Sequence, residues 1–544
     1  MKLINLKNIS LFFISILCSF GHLYAQKELP AEQLEVIKDF DLQLLESEKI
    51  NLTPILPEIK SDKSKLDYNI NAKQLKIDYD APQIKPMALP KEKEIKEAYK
   101  GVAKIGYGNP NQIVGDVIYQ SNVSDNLMFG GRVSHHSLNN SKKILHQRSS
   151  ETNVNLNGTY YFPQGFATSA ELGVERNRFG LYGFDNTDTT YLKKDSIRAL
   201  NDLNFGLSFF NGPRTKGDIN YGVKMFVYNR KDKTNDASEN GFLIKSEVAK
   251  YFNKKHPLAL NIGADLTKFK DTATQKLNHF FIEPSFTWHG DMFSAKVGVN
   301  FINQNSTFHI FPNVEAVAMI AGNKFQIFAG AEGNAYKNSF RNLSDYNPYV
   351  AYRPDSLKYS FYNQYYGGLK GRVSFLDYRA QVSYKKVNDL AMFLQDETDS
   401  RYFKPIFDTV SIITVQGSLT FFVLKDLDLK ATLSNNIYTP KNEKSAWGLP
   451  TFESDFRATY HLMEEKLLIN GNMMIATGVS YKAADDSKKL TTSLFDISLG
   501  AEYWFIKNIG AYIQFNNLLS NKNERWLGYP RYGLNILGGV VAKF

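Results

Sequence analysis

Cysteine is almost missing from this sequence of 544 residues. The single cysteine, Cys18, lies within the first 25 residues, and Leu17 stands before it instead of the small residue that a lipoprotein cleavage site requires. If this segment is removed, the remaining chain can form no disulfide, thiolate metal site or thiol nucleophile. This composition suits a protein that is exported through an oxidising compartment.

Long hydrophobic runs are also missing after residue 25. No later stretch approaches the roughly 18 apolar residues of a membrane-spanning helix, although 43% of the chain is hydrophobic and 14% aromatic. The apolar run from Ile9 to Gly21 follows Lys2 and Lys7 and precedes Ala25, which predicts a cleaved signal peptide over residues 1–25. An uncleaved transmembrane helix is the competing interpretation, but this run is too short to span the hydrocarbon core.

Arginine is absent from residues 26–99, which instead carry lysines, acidic residues and prolines at positions 30, 54, 57, 82, 86 and 90. A folded core built from this segment would be too small to be stable alone. The segment is therefore predicted to be a proline-rich polar tail in the periplasm.

From residue 100 onward, alternating segments of roughly ten residues are separated by polar breaks, which is the length that a tilted strand needs to cross a membrane. In one such segment Val154 and Leu156 alternate with Asn153, Asn155 and Asn157. The pattern predicts an all-β fold, a transmembrane antiparallel barrel of about 22 strands over residues 100–544. The predicted strands start near residues 100, 112, 127, 151, 166, 198, 218, 242, 257, 278, 292, 309, 325, 360, 377, 408, 427, 451, 466, 491, 509 and 533.

The lengths of the breaks alternate as well. Breaks after even-numbered strands are short, as in 253–256 and 321–324. Breaks after odd-numbered strands are usually long, as in 178–197, 229–241, 335–359, 386–407 and 436–450. Short periplasmic turns and long external loops are typical of an outer-membrane barrel, and this phase places both termini in the periplasm. A soluble sandwich or propeller, the alternative all-β fold, predicts no such alternation.

The C-terminal segment carries a family resemblance. Residues 516–521 read Asn-Asn-Leu-Leu-Ser-Asn, and residues 526–533 read Trp-Leu-Gly-Tyr-Pro-Arg-Tyr-Gly. The segment 516–544 is similar to the last extracellular hairpin and closing strand of TonB-dependent receptor barrels. The sequence as a whole resembles Bacteroidetes outer-membrane barrels. The family's usual Pro-Gly-Arg is replaced here by Tyr532-Gly533-Leu534. The terminal aromatic, Phe544, looks like the signal that hands such proteins to the barrel assembly machinery.

The resemblance implies a barrel without the family's plug. Receptors of the family place a globular plug ahead of the barrel, and residues 26–99 are too few and too polar to be that domain. The resemblance therefore supports the barrel more strongly than energised uptake.

A search for reactive residues predicts no enzyme, no cofactor and no metal site. His135 and His136 are adjacent on a strand and must point to opposite faces. Asp185, Asp188 and Asp195 share one long break, where they could hold Ca²⁺, but their spacing is not that of an EF-hand and a solvated loop is the preferred interpretation.

The charge distribution suggests partners. The net charge is +10, and residues 101–544 hold 50 basic and 40 acidic side chains. Nucleic acid is a poor partner for a cell-surface protein, so the basic loop residues are expected to meet lipopolysaccharide phosphates or an anionic solute, or simply to keep the loops soluble. These basic residues are Lys142, Lys143, Arg148, Arg230, Lys231 and Lys233.

Nine charged residues of both signs fall at positions that alternate with the apolar face and are predicted to point into the lumen. Their mixed signs predict a wet or polar-packed interior without strong ion selectivity. They are Lys224, Asp265, Glu283, Lys296, Glu332, Arg379, Lys430, Arg457 and Glu502.

Two functions remain open at this point. The first is a transport barrel, a channel or receptor-like component for solutes that works with a periplasmic or surface lipoprotein. The second is a structural subunit of an outer-membrane assembly or secretion complex, which uses the tail over residues 26–99 or its external loops to bind neighbours.

Overall fold

The computed structural model describes residues 99–183, 196–211, 219–304, 306–351, 357–424, 426–483 and 485–544. The predicted signal peptide, nearly all of the predicted tail, and the three aspartates at 185, 188 and 195 lie outside these residues.

Twenty-two long strands follow one another along the chain, and four short strands lie in loops. The first half of the chain contains β1 Gly101–Asn109, β2 Gln112–Ser124, β3 Leu127–Asn139, β4 Arg148–Tyr161, β5 Phe166–Gly180, β6 Ile197–Asn211, β7 Ile219–Asp232, β8 Ala237–Phe252, β9 His256–Lys270, β10 Thr274–His289, β11 Phe293–Gln304 and β12 Thr307–Asn323. The second half contains β13 Gln326–Asn338, helix α1 Phe340–Tyr346, β14 Lys358–Val373, β15 Leu376–Gln395, β16 Phe403–Leu424, β17 Leu427–Pro440, β18 Phe452–Leu462, β19 Leu467–Thr477, β20 Ser480–Lys482, β21 Lys488–Leu490, β22 Leu494–Trp504, β23 Ile509–Asn516, β24 Glu524–Trp526, β25 Tyr529–Pro530 and β26 Asn535–Lys543.

The long strands form one closed antiparallel barrel of 22 strands. Closure is made between the first and the last strand, where Val102 pairs with Lys543 and Asn109 pairs with Ile536. The short pairs β20–β21 and β24–β25 lie outside this sheet. The predicted fold and strand number are confirmed, and every predicted strand start lies within five residues of the observed one.

The outer face of the barrel is apolar because alternate side chains of each strand point away from the lumen. On β9, Leu258, Leu260 and Ile262 are 48%, 38% and 44% exposed. Their neighbour Asn261 points the other way and donates a hydrogen bond to Glu283 Oε2 at 3.4 Å. This alternation gives the barrel a belt suited to lipid. Among the described residues, no helix is long and apolar enough to cross a membrane.

The two ends of the barrel differ. At the end that holds Gly101 and Phe544, here called the terminal end, the strands are joined by short turns such as 253–255. The Gly101 amide donates to the Phe544 carbonyl oxygen at 2.8 Å there. At the opposite loop end several connections are longer, and α1 and both short hairpins lie in these longer connections.

Two of the predicted long loops are mostly strand. In the segment 229–241, β7 continues to Asp232 and β8 begins at Ala237, which leaves a four-residue turn. In the segment 386–407, β15 continues to Gln395 and β16 begins at Phe403. The apolar alternation ends where the wall leaves lipid, but the backbone hydrogen-bond ladder does not need an apolar face and extends further. Hydrophobic periodicity alone therefore marked these strands too short.

Candidate functional site

The loop end of the barrel holds a buried aromatic core. Side chains from strands β6 to β16 meet loop residues there, and the loops come from different sides of the ring. The buried members are Tyr182, Leu200, Ala237, Phe269, Leu277, Phe340, Leu343, Val350, Leu357, Tyr359, Phe393, Phe403, Trp526 and Tyr529. We call the loop segments 181–183, 339–351, 396–402, 442–450 and 518–534 the lid.

Tyr529, in the last loop, joins three other parts of the lid. Its hydroxyl donates to the Arg401 carbonyl oxygen at 2.6 Å, its ring stacks on Tyr349 with centroids 3.5 Å apart, and it meets the edge of Tyr182 at 4.9 Å. Tyr349 lies in the loop before β14 and Tyr529 in the loop after β23, and six strands stand between β14 and β23 along the ring. At about 4.8 Å per strand, the path between these loops along the wall is roughly 30 Å long. The loops therefore meet across the opening.

Arg525 strengthens the same junction. One of its amino groups donates to the Gly448 carbonyl oxygen at 2.8 Å, and the other donates to the Tyr346 hydroxyl at 2.7 Å. Its guanidinium also lies 4.6 Å from the centre of the Trp526 ring. The last hairpin is thus tied to the loops that follow β13 and β17.

Burial changes the chemistry of the lid tyrosines. Removal from water raises the pKa of Tyr349 and of Tyr529 well above the ordinary value of a phenol, because the charged phenolate would lose its hydration. Both side chains stay protonated and act as neutral packing and hydrogen-bonding groups.

Helix α1 of the lid docks on the wall through its N-terminal end. Ser339 caps it, and its hydroxyl accepts a hydrogen bond from the Asn342 amide at 3.3 Å. Glu239 of β8 accepts from the amide of Phe340 at 2.7 Å. A wall carboxylate thus satisfies a helix N–H group that has no partner within the helix.

Two buried arginines of the wall hold the same loop. Arg230 of β7 binds Asp202 of β6 with its Nε 2.7 Å from Oδ1, and its Nη1 donates to the Ser344 hydroxyl at 2.7 Å and to Asp345 at 2.6 Å. Arg198 pairs with Asp232 at 2.9 Å, with both side chains fully buried, and its Nη1 donates to the Pro348 carbonyl oxygen at 2.9 Å.

The expectation that Arg230 is an exposed loop cation is wrong, because its side chain is 1% exposed. The strand continues through this position and turns the guanidinium to the inner face, where Asp202 lies on the neighbouring strand. Sequence reasoning missed the pair because it joins residues 28 positions apart.

The predicted lumen residues are spread around the wall, and four of the nine form ion pairs. Asp265 binds Lys337 at 2.7 Å, with both side chains largely buried. Glu502 binds Lys104 at 2.6 Å, and Lys224 lies 3.3 Å from Glu171.

The remaining predicted lumen residues have mixed surroundings. Arg457 binds Asp455 at 2.7 Å, and Lys430 is its register partner on β17. The Arg379 guanidinium lies 4.5 Å from the centre of the Phe328 ring. Lys296 and Glu332 occupy β11 and β13, with Glu315 and Gln364 as register partners. Glu283 accepts from Asn261, so the nine residues do not converge on one binding site.

Histidine and acidic residues form no metal cluster of three among the described residues. His135 contacts the Thr152 hydroxyl at 2.8 Å, and His136 contacts the Gln112 amide nitrogen at 2.9 Å.

Comparison with solved structures identifies the architecture. The FrpB iron transporter from Neisseria meningitidis matches with a TM-score of 0.66 and 9% identity, covering 83% of this chain and 82% of that chain. The ferric-catecholate import receptor Fiu from E. coli K12 gives 0.62 at 9% identity, with 82% of each chain covered. The fold is that of an outer-membrane receptor barrel.

A third match is the pyoverdine outer-membrane receptor FpvA from Pseudomonas aeruginosa, with a TM-score of 0.59 and 9% identity over 82% of this chain and 78% of that chain. Searches against protein-family models and curated protein sequences find no match. The predicted TonB-dependent receptor type of barrel is confirmed as a fold.

Proposed function

We propose that this protein is an outer-membrane transport component whose external mouth is closed by its own lid. In this proposal both termini lie in the periplasm and the loop end faces the outside. The observation that carries the proposal is the meeting of loops from separate sides of the ring in one buried core. The shared fold with receptors for iron-bearing solutes supports it.

The size of the barrel makes a closure necessary. A barrel of 22 strands encloses a lumen that is either plugged or permeable. The aromatic core and the hydrogen bonds that Arg198 and Arg230 donate to the segment 339–351 hold the lid in place. Opening would remove the hydrogen bonds that these buried guanidinium groups donate to the lid, which costs roughly 1.5–3 kcal/mol for each bond to a charged group. The protein is therefore a gated barrel, and a solute or a partner has to supply the energy of opening.

The wall below the lid favours no single class of ion. It carries acidic and basic groups close together, as in the Asp265–Lys337 and Glu502–Lys104 pairs. The transported solute is consequently expected to be polar, with no preferred sign of charge.

The tail over residues 26–99 is proposed to be a docking arm in the periplasm. Its six prolines lower the entropy that is lost when an extended chain is fixed on a partner. The barrel itself would not need this arm for insertion.

Cell permeability tests the gate. We would replace residues 339–351 with a glycine-serine segment of equal length and measure sensitivity to an antibiotic that is too large to cross the outer membrane. We expect the strain with the replaced lid segment to become more sensitive to this antibiotic. A matched control replaces the turn residues 271–273, which lie outside the lid. Equal resistance of both strains, with folded barrel present in each, would contradict the proposal.

The alternative function, a structural subunit, is favoured by one observation. The hydrogen bonds from two buried arginines and a continuous aromatic core describe a cap that stays closed. Affinity purification from native membranes in mild detergent separates the two functions, because a subunit requires stable partners while a gated transporter keeps its permeability phenotype without them.

A further inference from the structure

The outer wall near the loop end carries a belt of cations without acidic neighbours. Outward positions on each strand lie an even number of residues from the exposed apolar side chains, such as Leu172 and Val174 of β5, which are 42% and 44% exposed. On each strand from β4 to β10, we consider the two outward positions that follow the last large apolar outward residue toward the loop end. None of these positions holds a carboxylate. Six of these positions hold cations: Arg176, Arg178, Lys231, Lys268, Lys270 and Lys276. We call these six residues the basic collar.

The collar lies on adjacent strands of one wall. Arg176 pairs in register with Asn201, which pairs with Lys231. Lys231 pairs with Ser238, which pairs with Lys270. All six side chains are exposed, and none forms an ion pair within the part of the chain that the structure describes.

A cavity of about 460 Å³ opens beside the collar between β2 and β6. Arg148 and Arg178 both line it, together with Ser137 and Ser150. The Nε and Nη2 atoms of Arg148 are enclosed there and have no hydrogen-bond partner among the described residues. Enclosed guanidinium N–H groups without acceptors are costly, so a ligand that supplies oxygen acceptors would bind favourably.

We propose that the collar and this cavity bind the phosphates of lipid A, with one phosphate held by Arg148 and Arg178. Arginine forms paired hydrogen bonds with phosphate oxygens, and serine hydroxyls can complete the shell. Phosphates of a membrane lipid lie at the border between its headgroup and its acyl chains. The collar occupies that border on the barrel, directly beyond the apolar belt.

The choice of lipid A over a phospholipid rests on the proposed orientation, which places the loop end in the outer leaflet. The opposite wall has no comparable row of cations, so the assignment is specific to the collar. The corresponding region of β15 to β17 holds the two lysines Lys386 and Lys441. The lipid site is separate from the lid, so it can exist whether or not the barrel transports a solute.

Binding of purified lipid A to the folded barrel in detergent tests this site. In the Arg148→Gln/Arg178→Gln variant we expect the dissociation constant to rise by about tenfold or more, since each cation near a lipid surface contributes about a factor of five. The Lys386→Gln/Lys441→Gln control removes the same charge from the other wall and should bind like the unmodified protein. Lipid A without phosphates should bind the unmodified protein at least as weakly as bisphosphorylated lipid A binds the arginine variant, because the remaining collar cations also lose their phosphate.

Two outcomes would overturn the proposal: equal losses in the arginine variant and the control, or equally tight binding of phosphatidylglycerol vesicles. If the arginine variant does not fold, Lys268→Gln/Lys270→Gln on β9 takes its place, with an expected loss of about fivefold or more against the same control. Failure of lid removal to permeabilise cells would count against transport and leave this binding result unaffected.

Discussion

At the scale of single residues, the charged side chains fall into two groups with different energetic roles. Pairs such as Arg457–Asp455 are largely exposed and contribute little to stability. Arg198, Arg230 and their aspartate partners are almost completely buried. Their pairing with carboxylates is obligatory, because removing one partner leaves an uncompensated charge.

The register of β9 can be tested with two arginine substitutions. Leu260→Arg places a charge in the apolar belt and should cost roughly 2–4 kcal/mol if the position lies near the bilayer midplane. Asn261→Arg points into the lumen beside Glu283 and should cost much less. The yield of heat-resistant folded barrel measures both effects. Equal losses would show that the assignment of the two faces is wrong.

The attachment of the lid can be tested at Arg230. Arg230→Met removes the bonds to Ser344 and Asp345 and leaves buried Asp202 with only Arg341, 3.7 Å away, so it should weaken docking of α1 by roughly 3–5 kcal/mol. Arg341 is the only basic residue in 339–351, so cleavage by trypsin after Arg341 reports release of this segment. We expect faster cleavage in the variant. Arg457→Met, which removes an exposed pair, is the control, and faster cleavage there to the same degree would contradict the role of Arg230.

At the scale of elements, the strands were predictable and the lid was not. Alternation of the kind seen around Leu156 and Leu260 repeats in every strand, and each repeat is local in sequence. The lid depends on contacts between residues that are far apart in the sequence. Tyr182 and Tyr529 are hundreds of positions apart, and Arg198 and Val350 are over 150 positions apart. No periodic signal marks such contacts.

The nine predicted lumen residues illustrate the same limit. Alternation predicted their inward direction from sequence, but it could not supply their partners. Lys337 contacts Asp265 from four strands away along the barrel wall, and a local pattern carries no information about that distance. Their role in a transport path stays a prediction.

The orientation of the loops can be tested by epitope tags. Tags inserted in the turns 233–236 and 396–402 should be reached by antibodies on intact cells, because the proposal puts the loop end outside. Tags in 253–255 or 321–324 should be reached only after the outer membrane is permeabilised. The reversed pattern would show that the barrel is inserted in the opposite sense.

At the scale of the whole molecule, a receptor-type barrel is combined with a lid built from its own loops and with a predicted periplasmic tail. The tail is tested by deletion of residues 30–95 with the signal peptide retained. We expect normal barrel assembly and the loss of co-purifying proteins. An unchanged set of partners would contradict the docking arm, and failed assembly would assign the tail to biogenesis instead.

The most direct test of the central claim is conductance in planar bilayers. Four proteins are compared: the full barrel, the barrel with 339–351 replaced by a glycine-serine segment, the barrel without residues 30–95, and the combination of both changes. We expect low conductance with the native lid, and large and stable channel conductance once both the lid segment and the tail are removed. A transport barrel gated by its own loops would be contradicted if none of the four folded proteins conducts, or if the protein with the native lid conducts fully.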